Sequence, residues 1–290
     1  MANQINRAKM NIYASLTILI WATAFPVTRM IGDQIDQYAL ALIRCVSASV
    51  LLLAIGAFNK ISIPKDRNTW IKIIVAGVCG FAIYIVVFSL GLHSITSATS
   101  SIIIALVPIM VAIGSRIIYK EKISISGWIS IFTAFGGVVV LMCWNGVLSI
   151  NAGALWTLSA AFLFFIYNML TRELTKTLTS LEVITYAMTV AAIALLVFVP
   201  HTIGVIQTAS TSAVLWAVYL GVLPSAVSYF FWAKAMDYAD KTSSVTNFMF
   251  ITPILATILG LIMLHEAPDA GTFIGGGIII ASLIVFNLKK

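Results

Sequence analysis

The chain is 290 residues long, with 61% hydrophobic and 9% charged residues. An ordinary soluble domain carries about 25% charged residues, so a water-soluble fold is excluded and the chain reads as an integral membrane protein. Its net charge of +7 could suit nucleic acid, but no basic stripe lies on a soluble domain; basic residues of membrane proteins gather instead on the cytoplasmic side.

A helix needs about 20 mostly apolar residues to cross roughly 30 Å of hydrocarbon. In chain order, such segments fall at approximately 10–31, 37–58, 70–92, 97–118, 123–144, 152–171, 181–200, 212–235, 243–264 and 270–288. The first follows a basic start, MANQINRAKMNIYASL, and continues past twenty residues without a small-residue cleavage site. It is expected to be a retained helix and not a signal peptide. The longest connection, NKISIPKDRNT (59–69), is polar and contains a proline. Strand-like alternation is absent, so of the two ways to satisfy backbone hydrogen bonds in lipid, the helix is predicted over the closed barrel.

Charge placement tests this division. With the N-terminus in the cytoplasm and sides alternating, 15 of the 17 basic residues fall on the cytoplasmic side. Arg29 and Arg44 remain, while Asp33, Asp36, Glu266 and Asp269 fall outside. The positive-inside rule then predicts ten crossings with both termini cytoplasmic. The segments LVPIMVAIGSRIIYKE (106–121) and ITPILATILGLIMLHE (251–266) pair Pro108 with Pro253 and Glu121 with Glu266, 145 residues apart. The same offset pairs Tyr84 with Tyr229, and an offset of 143 pairs Arg29 with Arg172. Five helices is an odd number, so a second half built like the first runs through the membrane in the opposite sense. The expected fold is all-α and integral to the membrane: ten transmembrane helices as two inverted five-helix repeats, 1–145 and 146–290, around a central cavity. Such halves suit alternating access.

Pro26, Pro108, Pro224 and Pro253 lie inside apolar segments. A proline there removes a donor and frees a carbonyl, which lipid tolerates only where protein or a water-filled cavity satisfies it. One reading is a packing kink. The matched places of Pro108 and Pro253 favour a bend that shapes a cavity or serves as a hinge, with Pro26 a third hinge candidate.

These residues carry a resemblance. With WATAFPVTR in the first helix, LIRCVSASVLLL in the second, ALVPIM followed by YKEKISISGWISIFTAFGGVVVL, and the shortened echo TPILATILGLIMLHEAPDAGTFIGGGIII, the chain resembles the EamA family of the drug/metabolite transporter superfamily over essentially its whole length. Phe164 stands where many members carry tryptophan, whereas Tyr167 and Arg172 fit. The resemblance implies a secondary transporter of the bacterial plasma (inner) membrane, commonly an exporter of amino acids and other small metabolites, with its substrate between the two halves. The implied partners are a small-molecule substrate and membrane lipid, with no nucleic acid. No cofactor is expected, and a monomer would suffice.

Several polar and aromatic side chains at membrane depth are candidate lining. Trp21 and Phe25 lie four apart, on one face of the first helix. Tyr84 and Tyr229 hold matched places. Tyr167 and Asn168, Trp232, Asn247 and Ser100 complete the set, with Ser97 nearby. Tyrosine and tryptophan tips need partners when buried, so interhelical hydrogen bonding among them is the competing reading. Arg44, about eight residues into the second helix, costs roughly 2.5–3.5 kcal/mol on insertion scales if it faces lipid. It either pairs with backbone groups or attracts a substrate carboxylate. Trp70, Trp128 and Trp216 read as interfacial belt residues, and Glu121 and Glu266 as boundary or gating residues.

All ten acidic residues lie in loops or at helix ends. No buried carboxylate relay of the kind proton pumps use is visible, which leans toward a facilitator or exchanger. A zwitterion remains compatible, with its ammonium on aromatic faces and its carboxylate at Arg44 or a helix N-terminus. His93, His201 and His265 share no ligand spacing, and Cys45, Cys79 and Cys143 are scattered, so no metal site or disulfide framework is expected. The paired carboxylates, HExxH and GxSxG of a membrane enzyme are missing. A drug or other-metabolite carrier is the alternative; a channel or scramblase would call for a continuous polar stripe.

Overall fold

The computed structural model describes residues 2–120, 123–144, 152–239 and 242–288. In chain order these form α1 (Ala2–Ile31), α2 (Gln37–Phe58), α3 (Arg67–Ser94), α4 (Ser97–Tyr119), α5 (Ile125–Cys143), α6 (Ala152–Leu174), α7 (Ser180–Thr208), α8 (Thr211–Asp237), α9 (Ser244–Leu264) and α10 (Ala270–Leu288). Among the described residues there is no β-strand. Eight of these helices are long and apolar enough to cross a membrane, while α5 and α10 carry shorter apolar stretches, Ile125–Val140 and Ala270–Ser282. The chain is a multi-pass membrane protein. Glu121 and the expected junction at 145/146 lie outside the described residues.

Helix starts are written locally in the sequence. The first N–H groups of a helix have no intrahelical acceptor, and at the edge of a bilayer a side chain supplies one. Thr96, Ser124 and Ser210 each accept from the third residue onward. Thr179 and Glu182 make a reciprocal capping box at α7. Asp36 accepts from the Tyr38 and Ala39 N–H groups at 2.8 and 3.1 Å and from His201 at 2.6 Å. Partial burial alone would push its carboxyl up, but the Ala39, His201 and Tyr38 contacts outweigh burial and hold it below the usual value. A lowered carboxyl adds stability that is complete at neutral pH and fades as pH falls through the folded-state value. Replacing Asp36 with alanine is expected to cost about 1 kcal/mol of stability. In thermal melts, the difference from wild type should be present at pH 7 and shrink below about pH 4.

Packing ties the N-terminal helices to the C-terminal ones. α1 lies against α8 and α9, α2 against α7 and α8, α3 against α6 and α7, α4 against α6 and α9, and α5 against α10. Several crossings are close enough to need glycine, two of them across the α2–α8 and α3–α7 contacts. A Cβ on Gly221 of α8 would lie 2.8 Å from the Arg44 carbonyl oxygen of α2. A Cβ on Gly77 of α3 would collide with the Ala187 carbonyl of α7.

Departures from regular helix recur at the offsets found in the sequence. π-helical turns occupy Val78–Ile83 in α3 and Gly221–Val227 in α8, directly before Tyr84 and one residue before Tyr229. α4 breaks between Ile104 and Val107. α9 passes through a 3-10 turn at Asn247–Ile251 before regular helix resumes at Thr252. Pro108 and Pro253 sit in the first turn after each interruption, where a missing N–H costs nothing. Each of these segments then ends on a left-handed residue, Lys120 at φ 58° and His265 at φ 54°. Pro26, by contrast, lies inside a continuous helix.

Candidate functional site

The π turn in α8 positions several groups of the interior. A π turn releases backbone carbonyls from the regular ladder and recurs at functional sites. Here the Pro224 carbonyl accepts from Trp21 Nε1 at 3.0 Å and from Ser228 Oγ at 2.5 Å. Ser225 Oγ donates to the Leu220 carbonyl at 2.9 Å and accepts from Arg44 Nε at 3.1 Å. Thr17 of α1 donates to the Ser228 carbonyl. The irregular turn of α8 thus fixes both an aromatic side chain of α1 and the cation of α2.

Beside it lies a cavity of about 30 Å³, lined by Trp21, Ala24, Phe25, Arg44, Tyr84, Phe88, Ile104, Phe164, Tyr229, Met249 and Thr252. These come from seven helices, α1 to α4, α6, α8 and α9. About 10–15 Å³ suffices for one water, so the space holds about two. Most of its wall is aromatic, with rings in edge, tilted or stacked contact. Trp21 meets Phe164, Tyr229 and Trp232 at 5.4, 4.8 and 4.8 Å between centroids. Tyr84 meets Phe88 and Phe164 at 5.6 and 5.5 Å. The polar groups are few. Arg44 is 3% exposed and its Nη1 has no hydrogen-bond partner; Thr252 Oγ1 is buried and likewise unpartnered. No carboxylate among the described residues pairs with Arg44.

Of the lining expected from sequence, Trp21, Phe25, Tyr84, Tyr229 and Arg44 come together on this one cavity. The others lie off its lining. Asn168 and Trp232 satisfy each other: Trp232 Nε1 donates to Asn168 Oδ1 at 3.0 Å, and Asn168 Nδ2 donates to the Phe164 carbonyl at 2.7 Å. Tyr167 is fully buried against Phe81, Phe164 and Tyr229. Ser100 and Asn247 are at the start of α4 and in the 3-10 turn of α9, and each has a buried oxygen without a partner. Phe88, Ile104, Met249 and Thr252 were not singled out from sequence. Phe88 is four residues from Tyr84, on the same face, and Thr252 immediately precedes Pro253; both spacings were available as signals.

One end of the bundle is tied across its halves by charge. Arg29 Nε pairs with Glu266 Oε1 at 2.7 Å, and Arg29 Nη1 donates to the Ile95 carbonyl. Glu266 Oε2 accepts from the Ser97 N–H at 2.9 Å. Arg29 is four residues beyond Phe25 on α1, about one turn from the cavity wall. Near the opposite end of the same helix, Tyr13 stacks on Tyr238 at 6.0 Å and tilts against Phe231 at 5.6 Å. Among the described residues no group of three or more metal-ligating side chains is assembled.

Comparisons with known proteins agree with this architecture. The sequence profile of the EamA-like transporter family matches residues 8–143 and again 151–288. The chain is 29% identical over 276 residues to the transporter YdfC of Bacillus subtilis, covering 95% of this chain and 90% of that one. It is 28% identical over 274 residues to a probable terminal-alkyne amino-acid exporter of Streptantibioticus cattleyicolor, covering 94% and 92%. A solved crystal structure superposes with a TM-score of 0.67 at 17% identity, covering 98% of both chains, which supports the fold alone.

Proposed function

This chain belongs to the EamA-like transporter family, and from that premise we propose that it is a secondary transporter moving a small metabolite, of the amino-acid type, out of the cell by alternating access. The observation that carries this reading is a cavity lined from both halves of the chain, with broken or π-helical segments converging around it. The helix neighbours support two related halves: exchanging every helix for the one five places along leaves the principal contacts unchanged. The recurring π turns, interruptions and left-handed ends support the same division into 1–145 and 146–290, with ten crossings and the second half inverted. Both termini then lie in the cytoplasm, the membrane is the bacterial inner membrane, and a monomer contains the complete site.

In this reading Trp21, Phe25, Tyr84 and Tyr229 contact the substrate. Asn168, Trp232 and Tyr167 hold the rings from behind. Ser100 and Asn247 belong to the segments that move, with Pro26, Pro108 and Pro253 as joints. Ligand sites commonly occupy about 300–1,000 Å³, so a cavity of about 30 Å³ has to widen on loading. Each ring contact contributes about 0.5–1.5 kcal/mol, and parting several of them sets the cost of opening. The exporter direction rests on the relative named as an amino-acid exporter. The mostly apolar wall also suits other aromatic or drug-like solutes.

The test is counterflow in proteoliposomes preloaded with neutral and aromatic amino acids. Saturable exchange should exceed that of empty vesicles, and Trp21→Ala should lower it about tenfold. No acceleration for any amino acid would end the amino-acid reading; linear, unsaturable flux would point to a channel.

A further inference from the structure

Arg44 is a permanently charged side chain buried to 3% exposure, and a guanidinium does not deprotonate in proteins. A buried cation is ordinarily compensated by a carboxylate. Among the described residues none pairs with it; its Nε is held by the neutral Ser225 hydroxyl, and its Nη1 is left without a partner. Thr252, on the same cavity, also has a buried hydroxyl without a partner. Thr252 is the first residue of the 13-residue helical segment Thr252–Leu264. It follows the 3-10 turn without a break: its N–H bonds the Met249 carbonyl, and the next residue, Pro253, has no N–H to offer. Two residues with unsatisfied polar atoms, one of them a cation, therefore line a space otherwise walled by rings and apolar side chains.

We infer that this pole of the cavity is a subsite for a single carboxylate, bound by Arg44 Nη1 and Thr252 Oγ1, and that the cargo is a monoanionic or zwitterionic carboxylate with an apolar body. The inference rests on the transport reading and narrows it to a substrate class. Ser225 holds the guanidinium in place, so that the carboxylate meets an ordered donor instead of a mobile one. No acidic residue lines the cavity, which disfavours dicationic solutes. The aromatic faces accept either an apolar group or a lone ammonium.

The experiment compares leucine and phenylalanine with leucinamide and phenylalaninamide, which lack only the carboxylate, in counterflow and in thermal shifts of the purified protein. Wild type should favour each acid over its amide by about ten- to a hundredfold, the loss expected for one charged hydrogen-bonded contact. Arg44→Gln should abolish that preference, and Thr252→Val, nearly isosteric and without charge change, should reduce it severalfold while keeping the wild-type melting temperature. Equal handling of acid and amide by wild type, with flux intact, would overturn the carboxylate subsite and leave transport standing. An absence of flux and of thermal shift with all four probes would remove both. Stabilisation by chloride over gluconate, matching that by leucine and lost in Arg44→Gln, would assign the pole to an inorganic anion and overturn the substrate claim.

Discussion

Gly221→Val is expected to lower transport at least tenfold and to destabilise the folded protein by about 1–3 kcal/mol, the usual cost of forcing extra carbons into a packed contact. The added Cβ would lie 2.8 Å from the Arg44 carbonyl oxygen and 3.1 Å from its Cα, and both are backbone atoms that cannot rotate away. The only relief is for α2 to retreat from α8. That motion carries Arg44 away from Ser225 and opens the wall on the side of the cation. Gly221→Ala introduces the same first carbon and should show a smaller form of the same loss. Melting temperature and counterflow measured together check this; wild-type values for the valine variant would mean that the two helices do not approach as described.

The second large effect is expected at the charged end. Glu266 joins three parts of the chain: its carboxylate pairs with Arg29 of α1 and accepts the Ser97 N–H at the start of α4. Arg29 is one-third exposed and Glu266 largely shielded, with side-chain exposures of 34% and 11%, so the pair is partly screened by solvent. Glu266→Gln keeps the shape and removes the charge. On the alternating-access reading, it should weaken the tie at this end by about 2 kcal/mol, a shift of roughly thirtyfold in the balance between forms with this end closed and open. A cysteine introduced at Ala24, which lines the cavity, reports this in a background lacking Cys45, Cys79 and Cys143. A membrane-impermeant thiol reagent applied from the Glu266 side should label Ala24→Cys at least tenfold faster when Glu266→Gln is also present. Unchanged labelling would reduce the pair to a static tether.

Much of the architecture could be read from the sequence because membrane helices obey coarse rules. Length and hydropathy located every helix to within a few residues, apart from longer ends on α1 and α7. The matched prolines lie in the first turn after the interruptions of α4 and α9. The lining was only half legible. In water, an apolar stripe marks the buried face of a helix; in lipid, the outward face is equally apolar, so periodicity does not separate the two. Tyr84 and Tyr229 stood out by their matched positions, and Arg44 because lipid is hostile to it. Ile104 and Met249 had no such mark. The π turns add a further difficulty, since an extra residue in the turn rotates the remainder of the helix about its axis, and no residue in VCGFAI announces it. Asn168 and Trp232 were visible as polar groups at depth, but only coordinates tell that each satisfies the other.

The glycine crossings of α2 with α8 and of α3 with α7 differ in one respect. Where α2 meets Gly221 the chain carries Arg44; where α7 meets Gly77 it carries Ala187. The principal helix contacts pair off between the two stretches that the family profile matches, but the charges at these crossings do not. On the carboxylate-subsite proposal, a solute with one anionic end is drawn toward the side of the cavity where Arg44 of α2 and Thr252 of α9 lie. On that proposal, release toward one face would take it past the arginine, and toward the other away from it. The rate constants for release on the two faces need not be equal, so a cation placed on one side of the cavity can set different apparent affinities on the two sides of the membrane.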